Sequence, residues 1–422
     1  GVGRNPRVAQ LTKVNDVVYT TTVKLKPGTR YYYTRGTASS ADTGSQHTVK
    51  FPVQLDAVWG WKDASDPISR PGFQKGVVLG GMLWRPADLP LVGQSLDIAQ
   101  SYGVNWINVI PDWFIVPDHT GSVIKPVYAA DGPFPNASNW IAPTLTDQQI
   151  LSIIKQARQR GMKIFLKPHV DPITYSPEKP QGRGDSNPAD WPAWYASYER
   201  MVMHYASLAQ QAGVEMLAVG TEIDPAAHEG SGQGPQGGGQ TQFFRQLISK
   251  VRAVYSGKLT YSVSAGKPER AAEVKFWDAL DYIGFEPYFP MTTTPNASIE
   301  TLTADFGRTL DRYAKPLAEQ YGKQVIFTEA SIHSFDGSTS VDPLGPPDGR
   351  RVVDHMEQAL GLEALMQAAV SRAYIAGVYY WALYLVPSGH DLVSEQAKDA
   401  YDPITGKLGG QVLSKWYHRI QS

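Results

Sequence analysis

The chain has 422 residues, 42% of them hydrophobic, and its 39 basic and 40 acidic side chains leave a formal net charge of −1. That size and apolar content support a large packed core rather than disorder, and the balanced charge excludes a general nucleic-acid binder, which shows a basic excess. The absence of cysteine excludes disulfides, thiolate catalysis and cysteine-ligated zinc or iron–sulfur centres, and no apolar run reaches the roughly 18 residues a membrane helix needs.

Residues 1–56 read as a hairpin-rich β segment. Val17 to Leu25 is alternating and β-branched, Pro27-Gly28 is a turn, and 31–34 and 46–53 are further strands. The segment is short for a whole sandwich and is expected to be part of one. The start at Gly1, with neither Met nor an apolar leader, reads as a processed or trimmed product. Residues 57–74, with Asp66-Pro67, Pro71-Gly72, Trp59 and Trp61, read as a linker.

From Lys75 to the end, strands alternate with helices. Eight apolar runs, at 76–80, 106–110, 163–168, 216–220, 259–264, 282–285, 325–328 and 378–382, have the continuous hydrophobicity of parallel strands buried on both faces. Between them lie helical patterns. Thr146 and Gln149 form a capping box ahead of an Ile150, Ile153, Ile154, Ala157 face, with Gly161 as the expected stop. Pro192 to Ala212 is a longer helix ended by Gly213. The pattern predicts an α/β fold, a (β/α)8 TIM barrel over 75–422 with long loops at 112–143, 171–190, 223–240 and 333–350. All four follow strands, on the C-terminal face where such barrels build active sites. A flavodoxin-like open sheet of fewer strands is the alternative.

Two apolar strands end in the same dipeptide: Thr221-Glu222 after strand four and Thr328-Glu329 after strand seven. In a closed barrel these strands face each other across the mouth. Two carboxylates flanking a glycosidic bond are what its hydrolysis requires, one protonated to assist the leaving group and one ionised. A separation of about 5–5.5 Å makes the reaction retaining. The plainer reading is that either glutamate salt-bridges a loop arginine. Other polar groups gather at strand ends: Pro111-Asp112-Trp113, Lys167-Pro168-His169-Val170-Asp171, Glu286-Pro287-Tyr288 and Trp381. Trp113 and Trp381 are candidate stacking surfaces for sugar rings, as are Trp84, Trp140 and Tyr384, although any of them also serves packing. His169, Asp171, Glu222 and Glu286 would meet the ligand requirement of a metal if drawn together, but no ligand spacing supports a metal site. Neither a phosphate-binding Gly-Lys-Ser/Thr loop nor a Gly-x-Ser-x-Gly elbow is present.

The stretches "FLKPHVDP" (165–172), "LAVGTEID" (217–224), "FWDALDYIGFEPYFP" (276–290), "VIFTEAS" (325–331), "VYYWALY" (378–384) and "YDPITGKLGG" (401–410) together resemble glycoside hydrolase family 113. This is a β-mannanase family of the clan A barrels, and the likeness runs from about Gly76 to Tyr417. The resemblance implies retention of configuration, with Glu222 as general acid/base and Glu329 as nucleophile. Tyr288 would hydrogen-bond the nucleophile, Trp381 would floor the subsite of the sugar to be cleaved, and His169, Asp171 and Glu286 would contact hydroxyls. Two stretches depart from the family pattern: Glu329-Ala330-Ser331-Ile332-His333 and Ser264-Ala265-Gly266.

The expected function is therefore retaining hydrolysis of a β-1,4-linked polysaccharide, mannan or glucomannan first. An exo-acting enzyme, or one acting on galactan, glucan or xylan, is the alternative. A non-catalytic sugar-binding barrel and a metal-dependent hydrolase are the rivals from other classes. The expected partner is a poly- or oligosaccharide, with no cofactor, nucleic acid or membrane, in a monomer that is secreted or at the cell surface.

Overall fold

The computed structural model describes residues 67–80, 89–116, 122–131, 142–173, 188–229, 235, 239–264, 266–340, 352–385 and 402–422, together with four two-residue strands nearer the N-terminus. Among those four, Thr12–Lys13 pairs antiparallel with Tyr19–Thr20, and Arg30–Tyr31 with His47–Thr48. The rest of the expected N-terminal β segment, most of the linker, and Trp59, Trp61, Trp84 and Trp140 lie outside the described residues.

Eight parallel strands close into a barrel: β1 (Gln74–Leu79), β2 (Trp106–Val109), β3 (Lys163–Leu166), β4 (Met216–Thr221), β5 (Lys258–Ser264), β6 (Tyr282–Glu286), β7 (Gln324–Ala330) and β8 (Ile375–Leu383). Each pairs with the next in sequence and β8 returns to β1. Closure rules out the open sheet. The helices are α1 (Val92–Ser101), α2 (Asp147–Arg158), α3 (Trp191–Ala212), α4 (Gln240–Val254), α5 (Ile299–Tyr321), α6 (His355–Val370) and α7 (Leu408–Arg419). Two 3-10 segments, Pro268–Glu273 and Trp277–Ala279, stand where a helix would join β5 to β6.

The local signals explain these boundaries. Thr146 Oγ1 accepts from the Gln149 N–H at 3.3 Å and Gln149 Oε1 accepts from the Thr146 N–H at 2.8 Å, a reciprocal cap for α2. The Ile150, Ile153, Ile154, Ala157 face is buried. The helix ends at Arg158, and Gly161, at φ 75°, serves the turn into β3 instead. Gly213 caps α3 at φ 63°, a conformation glycine adopts without steric cost.

Inside the barrel, alternation sorts side chains into layers. Val78, Phe165, Met216, Ala218, Ile326 and Tyr379 form an apolar cluster, with Tyr379 edge-on to Phe165 at 5.2 Å. Their neighbours in sequence point outward to the helices, as a strand's period of two dictates. Gly284 belongs to the same interior. A Cβ there would sit 2.2 Å from the Tyr261 carbonyl oxygen on β5, so strands β5 and β6 approach as they do because the position has no side chain. Gly284→Ala is expected to destabilise the fold by about 1–3 kcal/mol. Thermal melts of the two proteins test this, and coincident melts would refute it.

Above the rim the chain continues past β2 and β3 as Asp112–Ile115 and His169–Pro172. These run parallel with His169 opposite Asp112, and Ile124–Lys125 adds an antiparallel edge. At the opposite end Ile420–Gln421 pairs with Ile68–Ser69.

Candidate active site

The barrel interior turns polar toward the C-terminal end of its strands. Lys167 lies two residues beyond Phe165, Glu286 two beyond Gly284 and Thr328 two beyond Ile326, so period two aims all three inward. They meet. Lys167 Nζ donates to Glu286 Oε1 at 2.9 Å and also to Glu329 Oε1. Thr328 Oγ1 donates to Glu286 Oε1 at 3.0 Å, and Asn108 Nδ2 to the Thr328 carbonyl at 3.3 Å. All of these side chains are buried. Burial, reinforced by the Glu329 charge, pushes the Glu286 carboxyl well above the usual carboxylate range, while Lys167 pulls the other way. A protonated Glu286 leaves Lys167 with Glu329 as its counter-anion.

Three of the sequence-predicted residues sit where strand register slips by one residue. On β4 the slip falls between Ala218 and Thr221 against β5, on β7 between Phe327 and Ala330 against β8, and on β8 between Tyr380 and Leu383 against β1. Glu222 follows the first slip, Glu329 lies in the second and Trp381 in the third. An extra residue against a partner strand re-aims the side chains around it, which is how a strand end can turn a group into a barrel mouth. Gly220 allows the first slip: a Cβ there would lie 2.7 Å from the Tyr198 hydroxyl and 2.8 Å from the Tyr261 ring. Glu222 itself has φ 49°, a left-handed conformation uncommon for a residue with a side chain and found disproportionately at functional sites. Its N–H donates to the Ser262 carbonyl at 2.9 Å, which ties the turn to β5. The Trp381–Ala382 peptide bond is cis. Glu222 and Trp381 are partly exposed and Glu329 is buried.

Tyr288 completes the clamp on Glu329: its hydroxyl donates to Glu329 Oε2 at 2.9 Å. Burial and then the charges of Glu329, Asp402, Glu286 and Glu222 raise the Tyr288 hydroxyl well above its ordinary range, so it remains a donor. The three glutamates thus lie within electrostatic reach of one hydroxyl. His169 is buried beside them, with Nε2 3.6 Å from Glu329 Oε1 and Nδ1 3.8 Å from Asp112 Oδ1. Among the described residues, Asp112, His169 and Asp171 form one group whose ligand atoms all lie within 4.8 Å of one another.

The structure thus brings Glu222, Glu329, Tyr288, His169 and Asp171 to one end of the barrel, with Trp381 at the strand end beside them, and it corrects two expectations. Glu286 does not face a cleft where it would contact hydroxyls. It is fully buried a layer below, engaged by Lys167 and Thr328, because its place on β6 is in register with the barrel interior. Trp113 turns away from the carboxylates and packs on α3, its ring 5.8 Å from His204 and 6.1 Å from Tyr205. Its neighbour Asp112 takes the inward position of that strand. The metal quartet of His169, Asp171, Glu222 and Glu286 is likewise broken up, since Glu286 is committed to Lys167. Lys167 and Asp112 join the site although no motif in the sequence singles them out. A lysine directly after an apolar strand, two positions from an inward phenylalanine, is the signal that identifies Lys167.

Comparison with known proteins identifies the family and the fold. The family model for Glycoside Hydrolase Family 113 matches residues 133–399, more than half of the chain. Among solved structures, a complex of a family 113 β-1,4-mannanase aligns with a TM-score of 0.63 at 23% identity, covering 82% of this chain and 98% of that one. The family 113 β-mannanase of Alicyclobacillus acidocaldarius bound to ManMIm aligns with a TM-score of 0.63 at 23% identity, over 82% and 97%. These likenesses show a shared fold. No match is found among curated proteins. On the family match and the barrel, the chain belongs to glycoside hydrolase family 113 and is a glycoside hydrolase.

Proposed function

We propose that the protein is a retaining endo-β-glycosidase acting on a β-1,4-linked polysaccharide, mannan or glucomannan first, with Glu329 as nucleophile and Glu222 as general acid/base. The observation that carries the assignment is the asymmetry between the two glutamates. Glu329 has Lys167 on one oxygen and Tyr288 on the other, donors that stabilise a negative charge and fix the carboxylate in place. Glu222 is more exposed and stands on a turn at the rim, where a proton can be exchanged with water. Glu329 Oε attacks the anomeric carbon while Glu222 gives its proton to the departing glycosidic oxygen, forming a glycosyl ester. Glu222 then takes a proton from water, the hydroxide attacks the same carbon from the opposite face, and Glu329 leaves as carboxylate. Trp381, partly exposed at the end of β8, offers a face for the sugar ring in the subsite being cleaved. The mannan preference is supported by the family and by the β-mannanase fold of its solved relatives.

The test is reducing-end release from β-mannan, glucomannan, galactan, xylan and mixed-linkage glucan, with the anomer of the first product read by proton NMR. A Glu329→Ala control and a chelator arm run alongside. Release from the mannans as β-anomer, lost in the variant and indifferent to chelator, is the expected result. Release from another glycan alone would discard mannan, and the α-anomer would discard retention. Chelator-sensitive activity would bring Asp112, His169 and Asp171 forward as ligands.

A further inference from the structure

A pair of ionisable side chains follows the strand that carries Glu329, and the chemistry above leaves it unused. His333 lies three residues past the end of β7, at the close of one of the two stretches that depart from the family pattern. Its Nε2 is 2.7 Å from Oδ1 of Asp402, a residue ahead of α7, and the two side chains are 13% and 14% exposed. The backbone that carries them is firmly tied. The Tyr380 hydroxyl donates to the Asp402 carbonyl at 2.9 Å and lies 3.3 Å from the Ile332 carbonyl. Gln358 Nε2 donates to the same two carbonyls at 3.2 and 2.9 Å, and Lys407 Nζ donates to Ser334 Oγ at 2.8 Å. None of these ties uses the side chain of His333 or Asp402.

The same ties fix where the pair stands. Tyr380 immediately precedes Trp381 on β8, and Ile332 follows Glu329 by three residues. Two segments stapled to each other thus carry the pair beside both the nucleophile and the tryptophan. Of the charges felt by the Tyr288 hydroxyl, which clamps Glu329, that of Asp402 comes second after Glu329 and ahead of Glu286 and Glu222. Asp402 Oδ1 is sealed from solvent where it meets His333, so the exposure of this carboxylate lies on its Oδ2 side. A carboxylate accepts O–H donors and an imidazole nitrogen can give or take one hydrogen bond, so a partly exposed Asp–His pair suits neighbouring hydroxyls of a pyranose.

We propose that His333 and Asp402 form a hydroxyl-binding pair for the sugar seated on Trp381 beside Glu329, and that this pair helps decide which sugar is cleaved. The proposal rests on the roles given to Glu329 and Trp381 above. It gives the departure at 329–333 a purpose, since a histidine there adds a polar partner at the rim. A sugar that presents its hydroxyls to the pair satisfies groups already drawn partly out of water. A sugar that lacks them leaves the carboxylate unmatched, and a site built to hydrogen-bond a hydroxyl rejects the analogue without it far more strongly than an apolar pocket rejects a missing methylene.

The experiment is a cycle between protein and substrate. Wild type, His333→Ala and Asp402→Asn are compared on the dinitrophenyl β-disaccharide of the sugar whose glycan the wild type cleaves. The same proteins are then given versions that lack the 2-, 3- or 6-hydroxyl of the unit bearing the dinitrophenyl group. Both variants are expected to lose about 10–100-fold in kcat/KM on the complete substrate and to come within about 3-fold of wild type on one deoxy version. The intrinsic effect of each deoxygenation is common to all the proteins and cancels. Unchanged kcat/KM in both variants overturns the proposal. So does an equal loss on the complete and every deoxy substrate, which displaced loops alone would give. A loss on the polysaccharide with none on the dinitrophenyl substrates puts the pair on the leaving-group side and overturns its placement. Glu329→Ala separates this from the parent reading. If that variant keeps turning over the dinitrophenyl substrate, the nucleophile assignment fails. If it is inactive while the cycle shows no coupling, only the role of the pair fails.

Discussion

Alanine at Glu329 is expected to abolish turnover of every substrate, whereas alanine at Glu222 is expected to cost about 10²–10⁴-fold on a glycan and little in glycosylation by a dinitrophenyl glycoside. The difference follows from what each carboxyl supplies in the proposed mechanism. Without Glu329 there is no atom to form the glycosyl ester, however good the leaving group. Without Glu222 the leaving oxygen must depart unprotonated, which matters for a sugar alkoxide and hardly for dinitrophenolate. The ester that then accumulates lacks a base to activate water, so Glu222→Ala should show a burst of dinitrophenolate followed by slow release. Added azide, which attacks without needing a base, should restore the steady state and yield the β-glycosyl azide. Stopped-flow absorbance and product NMR read both features. A Glu222→Ala protein that loses the two substrates equally, with no burst and no azide product, would end the assignment of acid and nucleophile.

How far this site could be read from sequence depends on which physical signal each part leaves. The barrel was legible because strands buried on both faces need continuous apolar runs, and eight of them recur between helical patterns. Glu222 and Glu329 stand out as candidates because an ionisable residue directly after such a run has few structural reasons to be there. The register slips that aim them leave no propensity signal: nothing in Val219-Gly220-Thr221 or Thr328-Glu329 tells that three residues will oppose two on the neighbouring strand. Position at strand ends puts Glu286 and Trp113 in the site, but it is a coarser criterion than inward phase. Phase places Glu286 in the sealed layer and exchanges Trp113 for Asp112. Asp224 and His228 meet Arg270, 42–46 residues further on in the 3-10 segment Pro268–Glu273, a contact that a local pattern does not encode.

Lys167→Met is expected to be the most damaging substitution outside the two glutamates. The lysine is fully buried and its ammonium lies between Glu286 and Glu329. Removing the cation leaves two carboxyl groups facing each other away from water, and breaking a buried ion pair from one side costs about 3–5 kcal/mol. Part of that cost is avoided if the carboxyls hold their protons, and this is where activity suffers. A Glu329 that must lose a proton without Lys167 does so at higher pH, so the acid limb of kcat/KM should move upward while the alkaline limb stays. The double variant Lys167→Met/Glu286→Leu separates stability from catalysis. It removes the carboxyl already driven above the usual range by burial, and should regain much of the lost Tm. It does not return the cation to Glu329, so its acid limb should stay displaced. Thermal melts and pH profiles of the three proteins decide the matter. A single variant with wild-type Tm and wild-type acid limb would mean that Lys167 neither holds the layer together nor keeps Glu329 ionised. Recovery of both in the double variant would transfer the displaced limb from the missing cation to the unpaired Glu286.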